Sequence, residues 1–193
     1  MKQMSLGSIG GIAQGLTGTL DFDAHFDAIV ECYRPRIFRF ALASLRDRDA
    51  AETIAQDCFL RAYKAQHSFR RDCSLQTWLM QIAVNLVRDH LRNRRLQFWK
   101  RFQAMPERPE PLTTLVSEEL SPEMAVLFRQ QLDAVWSAAE SLPERQKTVF
   151  LLRFVEDMDI LEIAAAAGMK EGTVKSHLFR ALEAVRGRLG VRV

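Results

Sequence analysis

Between Gly18 and Gly168 this chain of 193 residues contains no glycine, and period-2 alternation is scarce. That excludes a glycine-rich phosphate loop across the middle of the chain and points to helices rather than strands. Cysteine is also scarce. Cys32, Cys58 and Cys73 form an odd set without a Cys-x-x-Cys pair, so neither a disulfide framework nor a zinc site is signalled. A reducing cytoplasm is the simple reading. The four histidines are scattered, and no acid/base pair falls in a plausible pocket. No catalytic residue, metal or cofactor is therefore expected, and an enzyme is disfavoured. Long apolar runs are missing too. The uncharged stretch between Lys2 and Asp21 holds five of the nine glycines, with Ser, Thr and Gln between them. It is too polar for a membrane span and lacks the apolar centre of a signal peptide. Residues 1–21 read as a disordered leader. Finally, a net charge of +3 is modest, so a nucleic-acid partner must be met by local basic patches.

What is present is helical periodicity. Phe26, Ile29, Val30, Tyr33, Ile37, Phe40 and Ala41 suggest one or two helices interrupted near Pro35. Ala50 to His67 reads as a helix with Ile54, Cys58, Phe59, Ala62 and Tyr63 inward, and Glu52, Gln56, Asp57, Arg61 and Lys64 outward. Ser68 to Ser74 breaks the period as a loop, with Ser74 the N-cap of the next helix. That helix is the most regular: Leu75, Trp78, Leu79, Ile82, Ala83, Leu86, Val87, His90 and Leu91 form its stripe. Gln81, Asn85, Arg88, Arg92 and Arg95 lie opposite. Composition then changes. Ala104 to Glu123 carries Pro106, Pro109, Pro111 and Pro122 with five Glu against one Arg, an acidic linker. Periodicity resumes at Met124, and Ser141 with Pro143 and Glu144 fits a helix start.

The last stretch, Asp159 to Gly190, is the most informative. Ile160, Ile163 and Ala164 suggest a short helix, Gly168 a left-handed corner, and Val174, Leu178, Ala181, Leu182, Val185 and Leu189 the buried stripe of a longer helix. Lys175, Ser176, Phe179, Arg180 and Glu183 fall on its other side. This is the helix-turn-helix pattern, whose second helix enters a DNA major groove. From Lys170 onward six Lys/Arg face two acids, which argues against an ordinary solvated helical hairpin. The fold class is all-α: two small helical domains, 22–100 and 123–193, joined by the linker 101–122, the C-terminal one with the helix-turn-helix.

These residues together resemble the extracytoplasmic function group of bacterial RNA polymerase sigma factors, over about residues 22–190. Leu142-Pro143-Glu144-Arg145-Gln146, Glu162-Ile163-Ala164, Gly168 and Gly172 to Ala181 are similar to that family's region four. Ala51 to Ala62 resembles its polymerase-gripping helix in region two. Trp78 to Arg92 resembles the helix that meets the −10 element. The resemblance implies core RNA polymerase, promoter DNA and an anti-sigma factor as partners, a cytoplasmic location, and no membrane span of its own. It implies −35 contacts from Thr173, Lys175, Ser176, Phe179 and Arg180. For the −10 element it implies Phe69, Arg70, Arg71, Asp72, Asn85, Arg88 and Arg92, and for polymerase Glu52, Gln56, Asp57 and Phe59. With separate partner surfaces and a flexible tether, the two domains could be clamped shut by a binding protein that occludes both. The competing reading is a two-domain helix-turn-helix regulator that binds duplex DNA without replacing a sigma factor.

Overall fold

A computed structural model describes residues 22–69, 72–100 and 133–190 of the chain, with side chains described for 25–69, 72–94 and 133–190. The expected leader 1–21, Arg70 and Arg71, the linker 101–122 and residues 123–132 lie outside the described residues, as does the Arg95 side chain. The described residues form helices and short turns, in this order: α1 (Phe22–Leu45), α2 (Arg48–Ala65), a 3-10 turn (Gln66–Ser68), α3 (Leu75–Lys100), α4 (residues 133–140), α5 (Glu144–Phe154), α6 (Ile160–Ala167) and α7 (Glu171–Leu189).

In the first half, α1 and α2 form an antiparallel pair and α3 packs across both. Ile37, Phe40, Ala41, Ala55, Cys58, Leu79 and Ala83 fill the space between them, and the many alanines let the helices approach closely. Arg46 takes a left-handed turn at φ 55°, and Asp47 then caps α2 by accepting the Ala50 amide at 2.9 Å. Pro35 does not interrupt α1, which runs unbroken through it. The proline is exposed, so the one backbone bond it removes lies on the water side of the helix. Ser74 caps α3 as its position suggests, its Oγ accepting the Thr77 amide at 3.1 Å.

In the second half, α5 and α7 pack together with α6 against both. Ser141 does not cap α5. Its hydroxyl donates to the Ala138 carbonyl at 2.7 Å and closes α4, while Pro143 occupies the N-cap position of α5. The turn into α6 is tied down by a capping box between Asp159 and Glu162. Gly168 sits at φ 63°, ψ 43°, the left-handed corner between the helices of the helix-turn-helix.

The two halves are not separated. α6 packs on α3 and α5 on α1, so the buried residues of both halves join in one cluster.

Candidate nucleic-acid interface

The residues of α7 sort cleanly by angle. Val174, Ala181 and Val185 are buried, and Leu178, Leu182 and Leu189 are half-buried against the core. Thr173, Lys175, Ser176 and Arg180 are exposed, and Phe179 is 68% exposed. A phenyl ring left in water beside Arg180 has the shape and chemistry for a thymine methyl or a sugar. Ser176 Oγ donates to the Gly172 carbonyl at 2.9 Å, which leaves its lone pairs as acceptors for a base-edge amino group.

The −10 candidates divide. Asp72, Arg88 and Arg92 are exposed and Asn85 is half-buried, so the structure brings Asn85, Arg88 and Arg92 onto one side of α3. Arg88 bonds Asn85, and Arg92 pairs with Asp89 at 3.1 Å. Phe69 is not free in the loop. Its ring lies 4.9 Å from that of Trp78 at a 32° tilt and anchors the loop to α3. Cys73 is half-buried, and burial with the neighbouring Asp72 charge raises its pKa, so the thiol form is favoured.

On α2, Gln56 is exposed, Glu52 and Asp57 are half-buried, and Glu52 accepts an ion pair from Arg34 at 2.6 Å. Phe59 cannot form part of a contact surface. It is buried, with its ring edge-on to Phe26 at 6.4 Å, because it falls on the inward stripe with Cys58 and Ala62. Tyr63, read as inward, is largely exposed although its ring meets Phe26 at 5.1 Å. Leu60, missed by the sequence reading, is exposed on the same helix. Only its outward angle between Gln56 and Lys64 could have signalled it.

The contact between the halves was also missed. Glu156 lies in the turn between α5 and α6, is fully buried, and accepts two bonds of 3.0 Å from Arg39 Nε and Nη2, with Arg36 Nε at 3.7 Å. Burial raises its pKa against the opposing pull of Arg39 and Arg36. Also between the halves, Lys147 Nζ donates to the Ser44 carbonyl at 2.9 Å and Arg46 pairs with Glu140. Burial lowers the Lys147 pKa, partly offset by Glu140. Thr77 of α3 donates to Glu162 of α6 at 3.4 Å. A cavity of about 250 Å³ opens along the same seam, lined among others by Val84, Arg88, Glu144, Arg145 and Met169.

By class, then, this is an all-helical DNA-binding protein with a basic helix-turn-helix in one half and a basic helix beside a loop in the other. The family model described as Sigma-70 region 2 matches residues 29–97, and that described as Sigma-70, region 4 matches residues 132–185. The chain is 31% identical over 172 residues to the ECF RNA polymerase sigma factor SigW of Bacillus subtilis, covering 88% of this chain and 90% of that relative. It is 35% identical over 174 residues to the RNA polymerase sigma-H factor of Pseudomonas aeruginosa, covering 83% of each. In fold it is similar to the sigma factor RpoE of Bartonella quintana, solved with the anti-sigma factor NepR. The TM-score there is 0.70 at 23% identity, over 87% of this chain and 98% of that one. CnrH, solved with the cytosolic domain of CnrY, gives a TM-score of 0.62 at 19% identity, over 95% of this chain and 96% of that one. The chain belongs to the extracytoplasmic function RNA polymerase sigma factors. It is a transcription initiation factor that brings RNA polymerase to promoters.

Proposed function

We propose that residues 22–100 and 123–193 work as separate promoter-reading units, the first on the −10 element and the second on the −35 element. The observation that carries this reading is the outer face of α7, where Thr173, Lys175, Ser176, Phe179 and Arg180 are all exposed above a buried apolar stripe. Arg180 and Ser176 read base edges, and Lys175 holds phosphate. Opening of the −10 element needs a base taken out of the stack, which costs a few kcal/mol that a shaped pocket offsets. Arg70, Arg71 and Asp72 supply the polar chemistry of that pocket, Phe69 ties it to Trp78, and Asn85, Arg88 and Arg92 hold the strand beneath it.

Gln56, Asp57 and Glu52 on the outer side of α2 meet the polymerase clamp, with Leu60 and Tyr63 as the apolar part of that surface. The protein acts in the bacterial cytoplasm, where polymerase and promoter are. It works without catalysing a reaction and without a cofactor. An anti-sigma factor holds it inactive, as the solved complex of its fold relative RpoE with the anti-sigma factor NepR suggests. Asp57→Arg tests the polymerase assignment. It should weaken core polymerase binding in a pull-down while the circular dichroism stays that of the wild type. Undiminished core affinity in a folded Asp57→Arg chain would remove α2 from the interface.

A further inference from the structure

We propose, resting on the −35 assignment of α7, that Glu183 is a specificity-determining residue on the same face, and that its carboxylate accepts a hydrogen bond from the N4 amino group of a cytosine in the major groove. At about 100° per residue, Glu183 stands diametrically opposite the fully buried Val174. Ser176, Phe179 and Arg180 fall within about 60° of the same line, and all four side chains are exposed. Their spacing is i, i+3, i+4, i+7. A single helix lying in a major groove presents that set to base edges, as homeodomain recognition helices do. The four span about 10 Å of helix axis, the rise of about three base pairs, and a groove about 12 Å wide admits the helix.

An acid in the middle of a DNA-facing surface calls for a reason, because phosphate repels it. Around it the second half gathers cations: Lys170, Lys175, Arg180, Arg186 and Arg188 are all exposed. Glu183 is not neutralised by its own helix. Among the described residues no ion pair reaches it, although Arg180 and Arg186 stand three positions to either side. The i+4 position, where a cation pairs best with a glutamate, is Gly187. A Cβ there would meet nothing within 4 Å, so the fold has room for such a cation and the sequence leaves it out. The i−4 position is the exposed Phe179. Glu171, the other acid of α7, lies in the first turn, where a carboxylate suits the positive end of the helix. Glu183 lies three turns further on and has no such role.

The four side chains carry four chemistries. Arg180 donates, Phe179 packs on a methyl, and Ser176, its proton held by the Gly172 carbonyl, accepts. An ionised glutamate has acceptors only, and the major-groove donor that a carboxylate pairs with is the N4 amino group of cytosine. A base edge that offers an acceptor at that place, or a phosphate, meets an unpaired negative charge. Glu183 therefore discriminates by rejection as well as by attraction, at some cost in general affinity.

The test uses holoenzyme assembled from core polymerase and the full chain as wild type, Arg180→Ala, Glu183→Ala or Glu183→Gln. Each form selects templates by run-off transcription from a promoter library randomised over the upstream block. Titrations then compare a selected duplex with one whose upstream block is scrambled. Wild type should require cytosine at one position. Glu183→Ala should lose that requirement alone, with discrimination there falling about tenfold. It should also bind the scrambled duplex about 1.5- to 5-fold more tightly, as loss of one exposed repulsive charge allows. Glu183→Gln should move the preference toward adenine, whose N6 and N7 match a carboxamide. Arg180→Ala should relax a different position, and melting temperatures should stay near that of the wild type. The same upstream block from wild type and Glu183→Ala would overturn the proposal. So would a uniform gain in affinity on every sequence, the mark of a merely solvated charge. A wild type that selects no upstream block would overturn the −35 assignment and the proposal with it, whereas a block that ignores Glu183 overturns the proposal alone.

Discussion

Helices α3 and α7 are both amphipathic and both carry basic residues, yet the fold holds them differently. α7 is gripped on one side, so everything opposite Val174, Ala181 and Val185 stays in water. α3 is gripped on two sides. At about 100° per residue, Leu79, Ala83 and Leu86 share the side packed on α1 and α2, while Thr77 and Val84 lie roughly opposite, Thr77 bonding Glu162 and Val84 lining the seam with Met169. The lesson concerns exposure. The outer face of α7 is open to solvent, whereas Arg88 on α3 lines the seam between the halves.

The largest expected effects come from the buried residues of α3. Leu79→Ala and Met80→Ala should each cost about 2–5 kcal/mol of stability in urea unfolding, since both side chains are fully buried. A cost well under 1 kcal/mol for Met80→Ala alone would mean that this fully buried position of α3 is uncovered in solution, and the comparison would break there.

On α7 the expected effect is on DNA rather than on folding. Arg180→Ala and Ser176→Ala should each lose about 1–3 kcal/mol of binding on the preferred −35 sequence and much less on scrambled DNA, with little change in melting temperature. Equal losses on both DNAs with a shallower salt dependence would demote the residue to a phosphate anchor. Loss of stability without a binding defect would mean that the open face of α7 is not the reading face.

The cap of α6 gives a smaller test of the helix that joins the two. Asp159→Ala removes the acceptor of the Glu162 amide and should cost about 0.5–2 kcal/mol. Because Glu162 also bonds Thr77, the radius of gyration of this variant should rise if α6 docking depends on that cap.

The smallest effect separates the core from the surface. Burial pushes the Cys58 thiol up to about 12, from an ordinary 9.0. The folded chain therefore keeps a proton that the unfolded chain releases, and stability falls as pH rises from about 9 toward 12. At neutral pH iodoacetamide should label exposed Cys32 and spare Cys58 until the chain unfolds. Equal labelling rates would contradict the packing of α2 on α3.

What was legible in the sequence follows the same division. The single stripe of α7, the left-handed Gly168 and the Ser74 cap are local patterns, and each is where its spacing places it. Val84 sits outside the main stripe of α3, and it lines the seam with Met169 of the second half, which periodicity does not see. Glu156 is the sharper case. An acid after Phe154 and Val155 reads as an exposed turn residue, and only the fold shows Arg39, 117 positions away, closing on it. Phe59 failed for the opposite reason: its helical angle already put it inside, and the resemblance alone suggested a contact role.

The most direct test is run-off transcription with purified core polymerase, this chain and a randomised promoter library. The account predicts transcripts only when both are present, from templates enriched in two sequence blocks spaced like −35 and −10 elements. Arg180→Ala should relax the upstream block alone, and Asn85→Ala or Arg88→Ala the downstream one. Specific duplex binding by the chain alone, with no chain-dependent transcription, would contradict it and favour a helix-turn-helix regulator that acts without replacing a sigma factor.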